Sequence, residues 1–259
     1  MKISQRNLIL IIIMGIVISS TFILYYWGQS LNPINRVQNL VKEAQRQIEI
    51  IPIEYESEAT PQQLPAEKIH KVPFISQAPF GDWADDRQQD GCEEASLLMA
   101  YGWATGQALT NTEALAEILA MSAYEDENYG FHNDSSAADT QRLMTDYLHY
   151  SNTELIYDFT IDDMRSQLAS GNIIVIPANG IALHNPNFTN GGPERHALVI
   201  TGYNDAKSHF ITNDPGTRNG KDYIYSYTTL FEAIRDYPSG HKNPILTERK
   251  AMIVVKPQS

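Results

Sequence analysis

From Val72 onward the apolar periodicity of this chain changes near residue 171, and that change limits the folds open to it. Before it, apolar residues recur at three- and four-residue spacing, as in helices with one buried face. Cys92–Thr105 (CEEASLLMAYGWAT) shows this through Ala95, Leu98, Met99 and Gly102, and Gly106 marks its end. Asn111–Met121 (capped by Thr110 or Asn111), Ser135–Tyr150 and Thr160–Ser170 read as three more helices, the last closed by Gly171. After it the runs are short: Asn172–Pro177 (NIIVIP), a hairpin of Arg195–Tyr203 and Ser208–Asn213, Asp222–Tyr227, and Ala251–Lys256. A short helix is expected at Thr229–Asp236, and an early strand at Lys71–Ser76. Helices first and strands second predict an α+β domain, with helices packed on an antiparallel sheet.

A different pattern occupies the amino terminus. Leu8–Trp27 carries no charge over twenty residues. At about 1.5 Å per residue a helix of that length spans roughly 30 Å, the thickness of a bilayer core. Lys2 and Arg6 precede it, which favours a cytoplasmic amino terminus, and Tyr25, Tyr26 and Trp27 suit the outer interface. The run is longer than the core of a cleaved signal peptide, and Ser19–Ser20 is a poor cleavage site. An uncleaved transmembrane helix is therefore expected. Three regions follow: residues 1–28 as cytoplasmic tip and anchor, 29–71 as stalk, and 72–259 as a compact domain outside the cytoplasm, at the cell surface or in the periplasm. Within the stalk, Ile34, Val37, Leu40, Val41, Ala44 and Ile48 fall at helical spacing, whereas EYESEATPQQLPAEKIH reads as a flexible spacer.

The net charge of −12 argues against nucleic acid as a partner, because phosphate binding needs clustered Lys and Arg. Eighteen acidic residues face only Arg87, Arg142 and Arg165 between Gly81 and Ser170. That imbalance makes either a solvated face or a field that steers cationic substrates. No cofactor and no metal are expected; HNDSSAAD and DPGTRNGKD offer oxygen ligands but match no calcium-loop spacing.

The chain has one cysteine, so no intramolecular disulfide can form. Cys92 stands at a helix start, where unpaired N–H groups favour the thiolate that attacks. Asp90 is the expected cap, with Glu93 completing a capping box. Glu93 and Glu94 act against the thiolate by their charge. A nucleophilic cysteine also needs a histidine as proton carrier. Among seven, His70, His149 and His241 read as surface residues, and His132, His184 and His209 carry no supporting pattern. His196 opens the strand HALVITGY directly after a Gly-rich loop. With a hairpin loop of Asn204–Ala206, Tyr203 pairs with Lys207 and His196 falls opposite Asp214, their Cβ atoms about 4.5–5.5 Å apart. An oxyanion would take the Cys92 N–H and one of Gln77, Gln88 or Gln89 as donors. The loops Ala78–Gly91 and Ala178–Glu194 run into Cys92 and His196. They are expected to form opposite walls of a substrate cleft, with Trp83 and Phe188 as apolar contacts.

VPFISQ, GCEEASLLMA, RHALVITGYN and TNDPGT, in that order from Val72 onward, resemble the cysteine-peptidase family thirty-nine. The resemblance is closest to the stand-alone bacterial relatives of the bacteriocin-processing peptidases. It implies a papain-like fold, a triad of Cys92, His196 and Asp214, and Gln77 as the oxyanion glutamine. The family's glutamine lies a few residues before its cysteine, whereas Gln77 precedes Cys92 by fifteen positions, with a loop inserted between. No phosphate loop is present, so a peptide-exporting ATPase is not expected. The function implied is hydrolysis of peptide bonds in a protein, a secreted peptide or a peptidoglycan stem. The alternatives are acyl transfer to an amine at the same site, or a membrane-tethered peptide-binding module without turnover.

Overall fold

The computed structural model describes residues 33–50, 64–240, 243–246 and 249–258. The expected anchor Leu8–Trp27 and His241 lie outside the described residues. No described helix is long and apolar enough to cross a membrane. The chain divides into two units, Met1–Gln62 and Gln63–Ser259. In the first, α1 (Pro33–Ile50) is the stalk helix that the spacing predicts, and its Val37 and Val41 are exposed.

The second unit contains β1 (Glu67–Ile69), α2 (Asp86–Gln89), α3 (Cys92–Thr105), α4 (Asn111–Asn128), α5 (Ala137–Asp146), β2 (Thr153–Tyr157), α6 (Ile161–Ala169) and β3 (Ile173–Ala178). Then come β4 (His196–Asn204), β5 (His209–Asn213), β6 (Tyr223–Ser226), α7 (Tyr227–Ala233) and β7 (Ala251–Val255). The strands form one antiparallel sheet in the order β2-β7-β3-β4-β5-β6. β1 pairs with β4 over Gly202–Asn204, beyond the stretch that β3 pairs.

The unbroken apolar runs of β3 and β7 follow from burial on both faces. Val175 and Ile253 join Leu97, Met99, Ile118 and Leu143 from α3, α4 and α5. Ile174, Ile176, Met252 and Val254 point the other way, to Met164 and Leu168 of α6 and Leu230 of α7. Each large aliphatic side chain taken fully from water stabilises the fold by about 1.5–3 kcal/mol. α3 is buried along most of its length, which is why its hydrophobic residues surround it rather than forming one stripe.

Several expectations need correcting. Lys71–Ser76 forms no ladder; Asn213 Nδ2 reaches the carbonyls of Val72 and Pro73 instead, each at 3.3 Å, and Pro73 has no N–H to donate. The strand lies earlier, at Glu67–Ile69, inside the stretch that reads as spacer. α4 continues past Met121 to Asn128, carrying the buried Glu125. β2 has no counterpart in the sequence reading.

The β4–β5 register also differs. The turn is a 3₁₀ turn at Asp205–Lys207 followed by Ser208, with Asn204 Oδ1 accepting from Lys207 N at 3.1 Å. Tyr203 therefore pairs with Phe210, not Lys207. A bulge between Ile200 and Gly202 shifts the ladder again, so that Val199 pairs with Asn213. Gly202 sits where β1 passes closest: a Cβ there would lie 2.4 Å from Lys68 O. His196 pairs with Ala178 of β3 and has no ladder partner at Asp214.

Candidate active site

Cys92 is the first residue of α3 and is almost fully buried. The cap residue is Gly91, with no side-chain hydrogen bond; Asp90 accepts from Asn133 Nδ2 at 2.8 Å instead. The thiol donates to Glu93 Oε2 at 3.0 Å. Burial, followed by the charge of Glu93, pushes the thiol well up from its ordinary value. The expected lowering by the helix start is overridden, because desolvation and a neighbouring carboxylate both penalise the anion.

His196 opens β4 and is 1% exposed. Its Nε2 lies 2.8 Å from Asp214 Oδ1, so the two residues come together by side-chain reach without pairing in the ladder. Asp214 follows β5 and has no exposed surface. Its Oδ1 also accepts from Gly216 N at 3.0 Å. Its Oδ2 accepts from Tyr225 OH at 2.8 Å and lies 3.5 Å from Asn185 Nδ2. Donors on both oxygens suit an ionised carboxylate. With Asp214 ionised, Nε2 is the nitrogen that donates to it, which in a neutral imidazole leaves Nδ1 as the acceptor.

Gln77 is buried, and its backbone N–H donates to Pro215 O at 3.1 Å, beside Asp214. Its Nε2 donates to Gln88 O at 3.0 Å and Gln89 O at 2.7 Å, while Oε1 has no hydrogen-bond partner. Gln77 thus ties the start of the Ala78–Gly91 loop to its end. Gln88 is buried, also with an unpartnered Oε1, and Gln89 lines the cleft.

That cleft holds about 830 Å³ and brings Gln77, Trp83, Cys92, Phe188 and His196 to one space. Trp83 comes from the loop before Cys92 and Phe188 from the loop before His196, so both loops line this one space. Phe188 stands edge-on to the His196 ring at 5.3 Å. Arg195 pairs with Asp134 at 3.1 Å on the same wall. Among the described residues, no group of three or more His, Cys, Asp and Glu could hold a metal ion.

Behind the thiol lies a buried acidic layer. Glu93 Oε1 accepts from Tyr237 OH at 2.7 Å and from Ser135 N at 3.1 Å. Glu94 accepts from Ser122 Oγ at 3.0 Å, and Glu125 from Ser135 Oγ at 2.7 Å. Burial, and then neighbouring acids, push Glu94 well up from the usual carboxylate range. Burial does the same to Glu93, which reaches about 7, and to Glu125, which reaches about 8. Tyr225, Asn185, Tyr237 and Ser135 carried no signal in the sequence; the acid pair after Cys92 was the only local sign of this layer.

The model of the Peptidase_C39 like family matches residues 69–239, a span that includes Gln77, Cys92, His196 and Asp214. The chain belongs to that family. It is accordingly a cysteine peptidase, and its substrate is a peptide. Among solved structures it is similar to a protein provisionally described as a C39-like peptidase from Bacillus anthracis. That match has 18% identity and a TM-score of 0.48, and covers 74% of this chain and 99% of the other. It is also similar to Xylellain, a cysteine protease from Xylella fastidiosa, at 16% identity and a TM-score of 0.31, covering 76% and 88%. At these values the two structures add nothing to the family match. No curated protein matches the chain.

Proposed function

We propose that this peptidase hydrolyses peptide bonds through Cys92, His196 and Asp214, and that Leu8–Trp27 anchors it to the membrane with the domain outside the cytoplasm. The observation that carries the catalytic reading is the 2.8 Å contact between His196 Nε2 and Asp214 Oδ1 on the cleft that Cys92 also lines. The chain has one cysteine, so a cysteine peptidase has no other thiol to use. Asp214 holds the imidazole as the Nε2–H tautomer, leaving Nδ1 to take the thiol proton. Sγ then attacks the peptide carbonyl carbon. The proton passes from Nδ1 to the amine nitrogen as the C–N bond breaks, and water hydrolyses the thioester. The Cys92 backbone N–H and Gln77 Nε2 stabilise the oxyanion, Gln77 releasing one of its two carbonyl acceptors to do so. Trp83 and Phe188 give the cleft its apolar contacts for the peptide. A domain outside the cytoplasm would meet secreted peptides, surface proteins and peptidoglycan stems.

The test is labelling of the purified full chain with a thiol-directed activity probe, alongside peptide cleavage. Cys92→Ala should abolish both, and His196→Ala should abolish cleavage. Cleavage that survives in Cys92→Ala ends the catalytic reading. For the anchor, protease added to intact cells should reach the domain, and alkaline carbonate should leave it in the membrane fraction.

A further inference from the structure

Glu93 touches the reacting sulfur, and the triad chemistry makes no use of it. Its Oε2 lies 3.0 Å from Cys92 Sγ, and the residue is only 2% exposed. Tyr237 OH and Ser135 N hold the other oxygen, so the carboxyl is fixed against the thiol. Tyr237 OH also lies 3.2 Å from His196 O, which joins the start of α3 to the start of β4 through one phenol. In this arrangement the thiol donates and the carboxylate accepts. That contact favours the protonated sulfur, the form that does not attack. An anionic sulfur beside an anionic carboxylate, both out of water, is opposed by charge and by desolvation.

We propose that Glu93 is a further catalytic residue, which must itself carry a proton before Cys92 can ionise. The inference rests on the reading of Cys92 as nucleophile and His196 as its base. Solvent gives one proton to Glu93 Oε2, and the Cys92 thiol gives its own to His196 Nδ1. One S–H bond breaks, an O–H and an N–H bond form, and the site gains one proton. The hydrogen bond between the two side chains reverses, with the carboxylic acid now donating to the thiolate.

The surroundings make this protonation accessible. Asp134 faces Glu93 from the loop before α5, Glu94 from α3 itself and Glu125 from α4. Tyr237 OH binds Glu93 directly and also reaches the backbone carbonyl of His196, and Arg195 is paired with Asp134. Burial, then Asp134, raises Glu93 to about 7. Glu93 is therefore protonated below that value and ionised above it. The reactive thiolate is favoured on the acid side and lost as pH rises through about 7. An ordinary thiol behaves in the opposite sense, since it ionises as pH rises.

The experiment measures the rate of Cys92 alkylation by iodoacetamide in the purified full chain across the neutral range. Between one pH unit below and one above the Glu93 midpoint, the wild-type rate should fall by about tenfold, following the loss of the protonated acid. Glu93→Gln places a neutral amide donor beside Sγ at every pH, and the fall should disappear. Tyr237→Phe keeps the carboxyl but removes one donor to its ionised form, so the fall should move to higher pH. A wild-type rate that simply rises with pH overturns the proposal, as does a Glu93→Gln curve that keeps the wild-type fall. If neither variant folds, the wild-type curve decides alone. Failure of the nucleophile assignment is read separately, as peptide cleavage persisting in Cys92→Ala.

Discussion

His196 and Asp214 share a 2.8 Å hydrogen bond although the β4–β5 ladder does not pair them. The contact depends on what happens just past β5. Asp214 leaves the strand into an Asp-Pro-Gly turn, and Gly216 N binds back to its Oδ1 at 3.0 Å. Tyr225 of β6 and Asn185 of the loop before β4 address its other oxygen. The carboxylate is thus aimed by a turn and by two side chains rather than by strand register.

Asp214→Asn should lower kcat on the order of 10³–10⁴-fold with little change in fold, because an amide cannot hold the Nε2–H tautomer or balance the imidazolium. Tyr225→Phe removes one of the donors to Asp214. It should cost about 1 kcal/mol of stability and reduce kcat far less. Steady-state kinetics and thermal unfolding of both variants check the ordering. Equal losses in the two would contradict it.

Gly216→Ala should damage catalysis without unfolding the domain. A Cβ at Gly216 would lie 2.8 Å from His196 Cε1 and 3.3 Å from Asp214 Oδ1. The imidazole must shift to make room, and misplacement by a fraction of an ångström to about 1 Å costs up to about 10²-fold in rate. The readout is kcat together with the thermal midpoint. Loss of rate at an unchanged midpoint is expected.

Glu94 and Glu125 predict a pH-dependent stability. Each has one buried carboxyl oxygen without a hydrogen-bond partner. Burial raises the folded-state pKa of Glu125 to about 8, well above its ordinary value. A carboxyl raised in this way contributes stability that is present below the unfolded pKa and is lost as pH rises through the folded one. The thermal midpoint should therefore fall between pH ~6 and pH ~9, and Glu125→Gln should flatten the fall. Calorimetric scans across that range decide the point; a wild-type midpoint independent of pH would refute it.

The local signals served the helices well. Cys92–Thr105 has the bounds its spacing predicts, and Gly106 takes the left-handed backbone of a helix end, φ 74°. Thr110 makes the capping box with Glu113, and Thr160 makes one with Asp163. Such features lie within a few residues of one another, so the sequence displays them directly. The strand opening at His196 was legible for the same reason, as a β-rich run following a Gly-rich loop. Cys92, His196, Trp83 and Phe188 could be brought to one cleft because the two long loops end at the first pair and carry the second.

By itself, then, the sequence determined an α+β domain, its main helices and strands, and the neighbourhood of a cysteine and a histidine. Tertiary structure alone decided the β4–β5 register, since a bulge at Ile200–Gly202 and a longer turn leave no mark in the period-two pattern. It also decided that Glu93 lies under cover against Cys92, held by Tyr237 from 144 positions away. An acid next to a cysteine reads as surface charge until the packing of α3, α4 and the segment after α7 removes it from water. Burial is a property of the whole assembly of elements, and it is burial that sets both the thiol and the carboxyl beside it.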